Sequence, residues 1–355
     1  MLRSRLNSLH EINVDASTVR PVRVVIADPP AFTPPYDHEL AEALARAGAV
    51  VELVTSRFRF GAAPEPANYA RRELFYPLSS RVFGRSPLRL PLKALEHPFG
   101  LARLRATRAD VVHVQWLAAP EVDVRLLRHS APLVLTAHDL LPRRTAAKRD
   151  LWRRLFARFE RVVVHSESGR TLLAEFGVPD ETLRVIRHPV FASDPARTDD
   201  GRTVLALGTI RPYKQMEHAA QAARAAGARL VVAGAELGRG YLTPAEIERA
   251  LGDATVAVFP YRAELDQSGA LLQALGAGVP AVVYDVGGLG EVVRDFGAGQ
   301  VVPPDDLAGL GAAIEELLDD ADALEQARAG ARRARAELTW EASAQAHLAL
   351  YEELL

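Results

Sequence analysis

Short apolar runs rich in Val, Ile and Leu recur along the chain and alternate with stretches of helical periodicity. The first set predicts strands at Val22–Ala27, Val50–Val54, Val111–Val114, Leu133–Thr136, Val162–His165 and Leu183–Ile186. A second set predicts strands at Thr203–Leu207, Arg229–Ala233, Thr255–Phe259, Ala281–Tyr284 and Gln300–Val302. Such runs are nearly continuous rather than alternating, which is the signature of parallel strands covered on both faces. Helix signals fill the gaps. Asp37 caps a helix that Gly48 stops, and Thr243-Pro244-Ala245-Glu246 forms a capping box with Pro in the first turn. Further helices are predicted over 146–159, Ser168–Phe176, 215–226, 305–318 and 320–336, with a last one from Thr339-Trp340 to Leu355. Residues 56–108, rich in Arg, Pro and aromatics, read as irregular apart from a helix near 92–107. Strands alternating with helices at this spacing predict an α/β fold of doubly wound parallel sheets.

The polar, Pro-containing stretch VFASDPARTDDGR at 190–202 reads as a linker between two such units. The expected organisation is a frayed tail at 1–20, a first domain at 21–190, a linker at 191–202, a second domain at 203–336 and a closing helix at 337–355. A length of 355 residues suits two domains, and 48% hydrophobic with 25% charged residues supplies two cores. No window reads as a membrane span. The first twenty residues lack an apolar core after their basic residues, which argues against a cleaved secretion signal. The absence of Cys excludes disulfides and thiolate chemistry and fits a cytoplasmic protein, and no spacing typical of a metal site is present.

Net charge of −2 conceals an asymmetry. Residues 1–190 hold 29 Lys and Arg against 20 Asp and Glu, and the remainder holds 14 against 25. The first half therefore points to an anionic partner. Its basic helix carries Arg153, Arg154, Phe156 and Phe159. That helix reads either as a peripheral contact with an anionic membrane on the inner face or as a soluble helix with a charged outer surface. No aromatic-basic motif of a nucleic-acid reader is present.

Candidate chemistry sits in the turns after strands, where open parallel sheets bind ligands. Gly208-Thr209-Ile210-Arg211-Pro212-Tyr213-Lys214 follows a strand and places two cations three residues apart, suited to phosphate oxygens; a solvated helix start is the plainer alternative. Gln267-Ser268-Gly269 opens a helix whose first N–H groups suit a diphosphate, and Ser268 serves equally as a cap. Gly287 and Gly288 let backbone approach a ligand, or simply make a turn. Glu291 is placed to accept from sugar or ribose hydroxyls, or to favour its helix dipole.

These segments together resemble the group-1 (family 4-like) retaining glycosyltransferases. The resemblance covers nearly the whole chain after about residue 20 and rests on five segments. They are His138-Asp139-Leu140-Leu141-Pro142, the Gly208–Lys214 turn, Phe259-Pro260-Tyr261 with Gln267-Ser268-Gly269, Asp285–Glu291, and Trp340-Glu341 with the last helix. It implies the GT-B fold, two facing Rossmann-like domains with the last helix crossing back onto the first. It also implies hexose transfer from a nucleotide-diphosphate sugar to a glycan, lipid-linked or small-molecule hydroxyl. The sugar nucleotide is then a co-substrate, with no cofactor or metal expected. By the same resemblance His138, Arg211 and Lys214 are the catalytic positions. Gly208, Thr209, Ser268, Gly269, Gln273, Gly287, Gly288 and Glu291 hold the donor.

Three departures accompany it. Leu265 and Gln273 stand where many members carry two Glu, with Glu264 and Asp266 flanking the first. Pro34-Pro35-Tyr36-Asp37 replaces the usual Gly-Gly after the first strand. A helix and strand usual before Thr243 are lacking in the short 235–242 segment. These departures keep open a second class of function, a non-catalytic GT-B protein that binds a sugar nucleotide or partners an active transferase.

Overall fold

A computed structural model describes residues 20–59, 61–81, 89–142, 144–234, 242–262 and 267–355. The tail before residue 20, the segment 235–241 and Glu264, Leu265 and Asp266 lie outside the described residues. Two parallel sheets are present, each covered by helices on both faces. The first domain contains strands β1 (Arg23–Asp28), β2 (Val50–Ser56), β3 (Ala70–Phe75), β4 (Val111–Val114), β5 (Leu133–Thr136), β6 (Arg161–Val164) and β7 (Leu183–Val185). Their order across the sheet is β3-β2-β1-β4-β5-β6-β7. Helices α1 (Pro34–Arg46), α2 (Arg89–Arg105), α3 (Pro120–Leu126), α4 (Arg149–Phe156) and α5 (Glu167–Phe176) connect them. Strand β1 shows why the pattern reads so clearly: Val24, Val25, Ile26 and Ala27 are all fully buried between two helical layers.

The second domain contains β8 (Thr203–Leu207), β9 (Arg229–Ala233), β10 (Val256–Phe259), β11 (Ala281–Tyr284) and β12 (Gly299–Val302), ordered β12-β11-β10-β8-β9. Its helices are α6 (Met216–Ala225), α7 (Pro244–Asp253), α8 (Gly269–Gly276), α9 (Gly287–Phe296), α10 (Leu307–Asp319) and α11 (Ala321–Glu337). The capping box at α7 is formed in both directions, Thr243 Oγ1 accepting from Glu246 N–H and the Glu246 carboxylate accepting from Thr243 N–H. The final helix α12 (Trp340–Glu352) lies on α1. Trp340, Leu350 and Tyr351 belong to the same core as Val24 and Ile26. Burying three such side chains contributes about 1.5–3 kcal/mol each, so the last helix is tied firmly to the first domain.

Two elements depart from the sequence expectation. Strand β3 occupies part of the stretch read as irregular. As an edge strand paired only with β2, it keeps Arg72 in water in an ion pair with Glu52, so it lacks an apolar run. The short α3 is also additional. One reading of α4 is corrected: Trp152, Leu155, Phe156 and the following Phe159 are buried in the domain core. The Arg149 and Arg153 guanidinium groups lie over the Phe176 ring, at 4.5 and 5.7 Å from its centroid. The aromatic side of this helix is consumed by packing, and Phe156 and Phe159 cannot rest on a bilayer. Among the described residues no helix is long and apolar enough to cross a membrane.

Candidate active site

The C-terminal ends of both sheets face one another, and their turns build the site. After β8, Gly208 adopts φ +99°, a left-handed conformation that suits glycine. Thr209, Ile210 and Arg211, all half-buried, lead into a single 3₁₀ turn at Pro212–Lys214, and this turn folds Lys214 back over Gly208. A methyl group at Gly208 would meet Lys214 Nζ at 2.8 Å and Ala270 Cβ at 3.3 Å. The lysine ammonium, the Gly208 turn and the first turn of α8 therefore converge on one point.

Lys214 is only 6% exposed, and its ammonium lies 5.0 Å from the centroid of the Tyr261 ring. Among the described residues neither Lys214 nor Arg211 has a carboxylate partner. Burial, reinforced by the Arg211 charge, lowers the Lys214 pKa to about 8. A buried, unpaired cation beside a helix N-terminus is an arrangement that an anion relieves.

Ser268 caps α8 through its hydroxyl, which accepts from Leu271 N–H at 3.3 Å. The expectation that Ser268 offers its own N–H to a ligand is corrected: that N–H donates to Gln267 Oε1 at 2.9 Å. The N–H groups at this end with no partner among the described residues are those of Gly269 and Ala270, which precede the first intrahelical bonds. The Gln267 amide also donates to the Gly288 carbonyl at 3.3 Å, joining the starts of α8 and α9. Gly287, with φ +48°, begins α9 in a conformation unfavourable for other residues.

Glu291 is placed differently from the sugar-binding reading. Its two carboxylate oxygens accept from the N–H groups of Glu167 and Ser168 and from Ser168 Oγ, at 3.0–3.1 Å. It thus caps α5 of the opposite domain and holds the lobes together, leaving little capacity for a ligand hydroxyl. Arg187 and Asp295 add an ion pair across the same seam.

Between the lobes lies a cavity of about 260 Å³ lined by His138, Trp116 and Phe32 on one side and by Gln267, Gly269 and Gln273 on the other. His138 is half-buried and stacked on the Trp116 indole, with centroids 5.1 Å apart and planes at 16°. Its Nε2 lies 2.9 Å from Gln115 Oε1. In the tautomer where Nε2–H donates to that oxygen, Nδ1 keeps a lone pair free to accept from a hydroxyl. Burial, with His165 and His188 nearby, holds the His138 pKa well below the usual range, so the ring is neutral.

Comparison with known proteins fits this geometry. Residues 36–193 match the family profile Glycosyltransferase Family 4, and residues 201–320 match Glycosyl transferases group 1. The chain belongs to the group 1 glycosyltransferases. Glycogen synthase of Mycobacterium tuberculosis is 38% identical over 113 residues, which are 32% of this chain and 27% of that protein. The chain thus spans about a quarter of the length of that relative. D-inositol 3-phosphate glycosyltransferase of Mycobacterium marinum is 26% identical over 88% of this chain and 79% of its own length. Among solved structures, the fold is shared with sucrose-phosphate synthase from Thermosynechococcus elongatus, with TM-score 0.71, 19% identity, 94% of this chain and 99% of that one. It is shared too with Anabaena HepE, crystallised with UDP-glucose, with TM-score 0.66, 14% identity, 94% of this chain and 100% of that one.

Several residues of this group 1 glycosyltransferase were not singled out by sequence reasoning. Gln115 orients His138, and Tyr36 packs edge-on against His138 at 4.7 Å, His188 at 4.9 Å and Trp340 at 5.2 Å. His165 and His188 line the cavity, both kept neutral by burial, which lowers them to about 4 and about 3. His165 follows β6 directly and His188 lies three residues beyond β7, and those positions after strands were the available signal.

Proposed function

We propose that this chain transfers a hexose from a nucleoside-diphosphate sugar to a hydroxyl of a glycan, lipid-linked or small-molecule acceptor, with retention of configuration. The observation that carries the reading is Lys214, a buried ammonium with no carboxylate partner among the described residues, set against the opening turn of α8. That place suits a diphosphate, and the structure of HepE with UDP-glucose supports it by likeness of fold.

As the bond from the anomeric carbon to the diphosphate breaks, negative charge grows on the phosphate oxygens. Lys214, Arg211 and the N–H groups of Gly269 and Ala270 are fixed before that charge appears, so they stabilise the transition state more than the ground state. The acceptor oxygen bonds to the anomeric carbon on the face the diphosphate leaves. Its proton passes to the departing phosphate oxygen. No protein nucleophile is required, and configuration is kept. His138, neutral, accepts a hydrogen bond from a hydroxyl of the transferred sugar. Gln273 holds a hydroxyl of the donor without the charge that Glu would bring.

Release of UDP from UDP-glucose in the presence of candidate acceptors tests the reading. Arg211→Ala with Lys214→Ala is expected to lower turnover by at least about 10²-fold while the thermal transition remains cooperative. Undiminished turnover in the double variant overturns the assignment.

A further inference from the structure

We propose that the first-domain wall of the cleft is an acceptor subsite for a neutral saccharide ring, with Phe32 and Trp116 as its stacking surface. The inference rests on reading the cleft as a transferase site and names the class of acceptor that site takes.

Phe32 is 57% exposed, yet it is held firmly in place. The carboxylate of Asp28, itself fully buried, accepts from Phe32 N–H at 2.7 Å and Thr33 N–H at 3.3 Å. Between them Ala31 takes φ +53°, a conformation rare for a residue with a side chain. This constrained turn directs an apolar ring into an open cleft instead of a core. Trp116 is fixed by the same turn, since its indole N–H donates to Thr33 Oγ1 at 2.8 Å. The Phe32 and Trp116 rings meet edge to face at 5.3 Å and 79°, and Trp116 continues into the stack on His138. Three rings thus form one preorganised wall.

The opposite wall decides what the rings face. It carries the amides of Gln267 and Gln273 and the backbone of Gly269. An alkyl chain would satisfy the rings and leave the Gln273 amide, which has no hydrogen-bond partner among the described residues, without one. A phosphorylated or carboxylated group would find no cation there: among the described residues lining this cavity the only charged side chain is Asp139. A saccharide ring satisfies both walls. Its C–H face, polarised by ring and hydroxyl oxygens, lies on the negative face of an aromatic ring, and its rim of hydroxyls reaches the amides.

Trp116 is the tryptophan that lines this cavity, Trp152 and Trp340 being buried elsewhere in the packing, so the part of the intrinsic fluorescence that Trp116→Phe removes reads this wall. The full chain is titrated with maltose and with methyl α-D-glucopyranoside, with and without saturating UDP, and UDP binding is measured separately by calorimetry. The expected result is a saturable change with at least one saccharide, lost in Trp116→Phe and shifted to about tenfold weaker affinity in Phe32→Ala, with UDP affinity unaltered in both. No saturable change with either saccharide overturns the subsite, as does a change that survives Trp116→Phe or an equal affinity in Phe32→Ala. Failure of the wild-type protein to bind UDP contradicts the donor reading instead, and the titration without UDP still reports on the aromatic wall.

Discussion

Lys214 carries a penalty that a bound anion removes. Its pKa of about 8 in the folded chain lies below the 10.5 of an exposed lysine, with burial as the main cause and Arg211 second. Below pH 8 the folded protein must keep a proton that its surroundings disfavour, and this penalty is on the order of 3 kcal/mol at 1.36 kcal/mol per pH unit. Between pH 8 and 10.5 the unfolded chain binds a proton the folded one does not, so this group's contribution to stability rises with pH across that window. A diphosphate reverses the sign by favouring the charged form. UDP affinity is therefore expected to be level below pH 8 and to fall towards tenfold per pH unit above it. Lys214→Met should raise the stability of the ligand-free protein by about 1–3 kcal/mol and abolish that pH dependence together with most of the affinity. Denaturant melts and calorimetry across pH 6.5–9.5 check both halves. A Met variant that is less stable yet binds UDP normally would refute the role.

At the scale of elements, the junction of α5 and α9 governs how the lobes meet. Glu291 gives both carboxylate oxygens to the start of α5, and Arg187 pairs with Asp295 in α9. Each contact is partly exposed and worth about 0.3–1 kcal/mol, too little to lock the cleft and enough to bias it. Combining Glu291→Ala with Arg187→Ala should open the lobes, increasing the radius of gyration in small-angle scattering of the ligand-free protein, and UDP-glucose should partly restore it. An unchanged radius would show that the closed form is held elsewhere. The sequence suggested Glu291 as a first-turn acid, but α9 begins at Gly287 and holds no acidic residue in its first turn, and the partners of Glu291 lie more than 120 residues away in another domain. Periodicity cannot report such a pairing. The same reason explains Gln115 beneath His138 and Phe32 against Trp116, side chains brought together only when β1, β4 and β5 align. What was legible had local causes: buried β-strands that need no polar face, the Thr243 box, and the Gly208 turn. Strand β3 was illegible because its solvated edge leaves Arg71 and Arg72 where an apolar run would be sought.

For the molecule as a whole, α12 ties the last part of the chain back to the first domain. Tyr351 Oη lies 2.7 Å from His113 Nδ1, and His113 Nε2 lies 2.7 Å from Thr136 Oγ1, so a buried polar chain runs from the last helix into the first sheet. Burial, with His347 and His165 nearby, keeps His113 neutral by pushing its pKa well below the usual range. Tyr351→Phe would leave Nδ1 without a partner, and a loss of about 1–3 kcal/mol in urea unfolding is expected, with UDP affinity unaltered because the site is built elsewhere. A variant as stable as the wild type would show that the hydrogen bond is dispensable. The charge asymmetry of the sequence is arranged around this frame: the basic first domain and the acidic second meet at the cleft, where Lys214 and Arg211 supply local positive charge from the acidic side.

The most direct test of the account is a crystal structure of the protein with UDP. The account predicts diphosphate oxygens within about 3 Å of Lys214 Nζ and of the Gly269 or Ala270 N–H, with Arg211 turned onto the same phosphates. A diphosphate bound elsewhere, with Lys214 still resting on the Tyr261 ring, would contradict it.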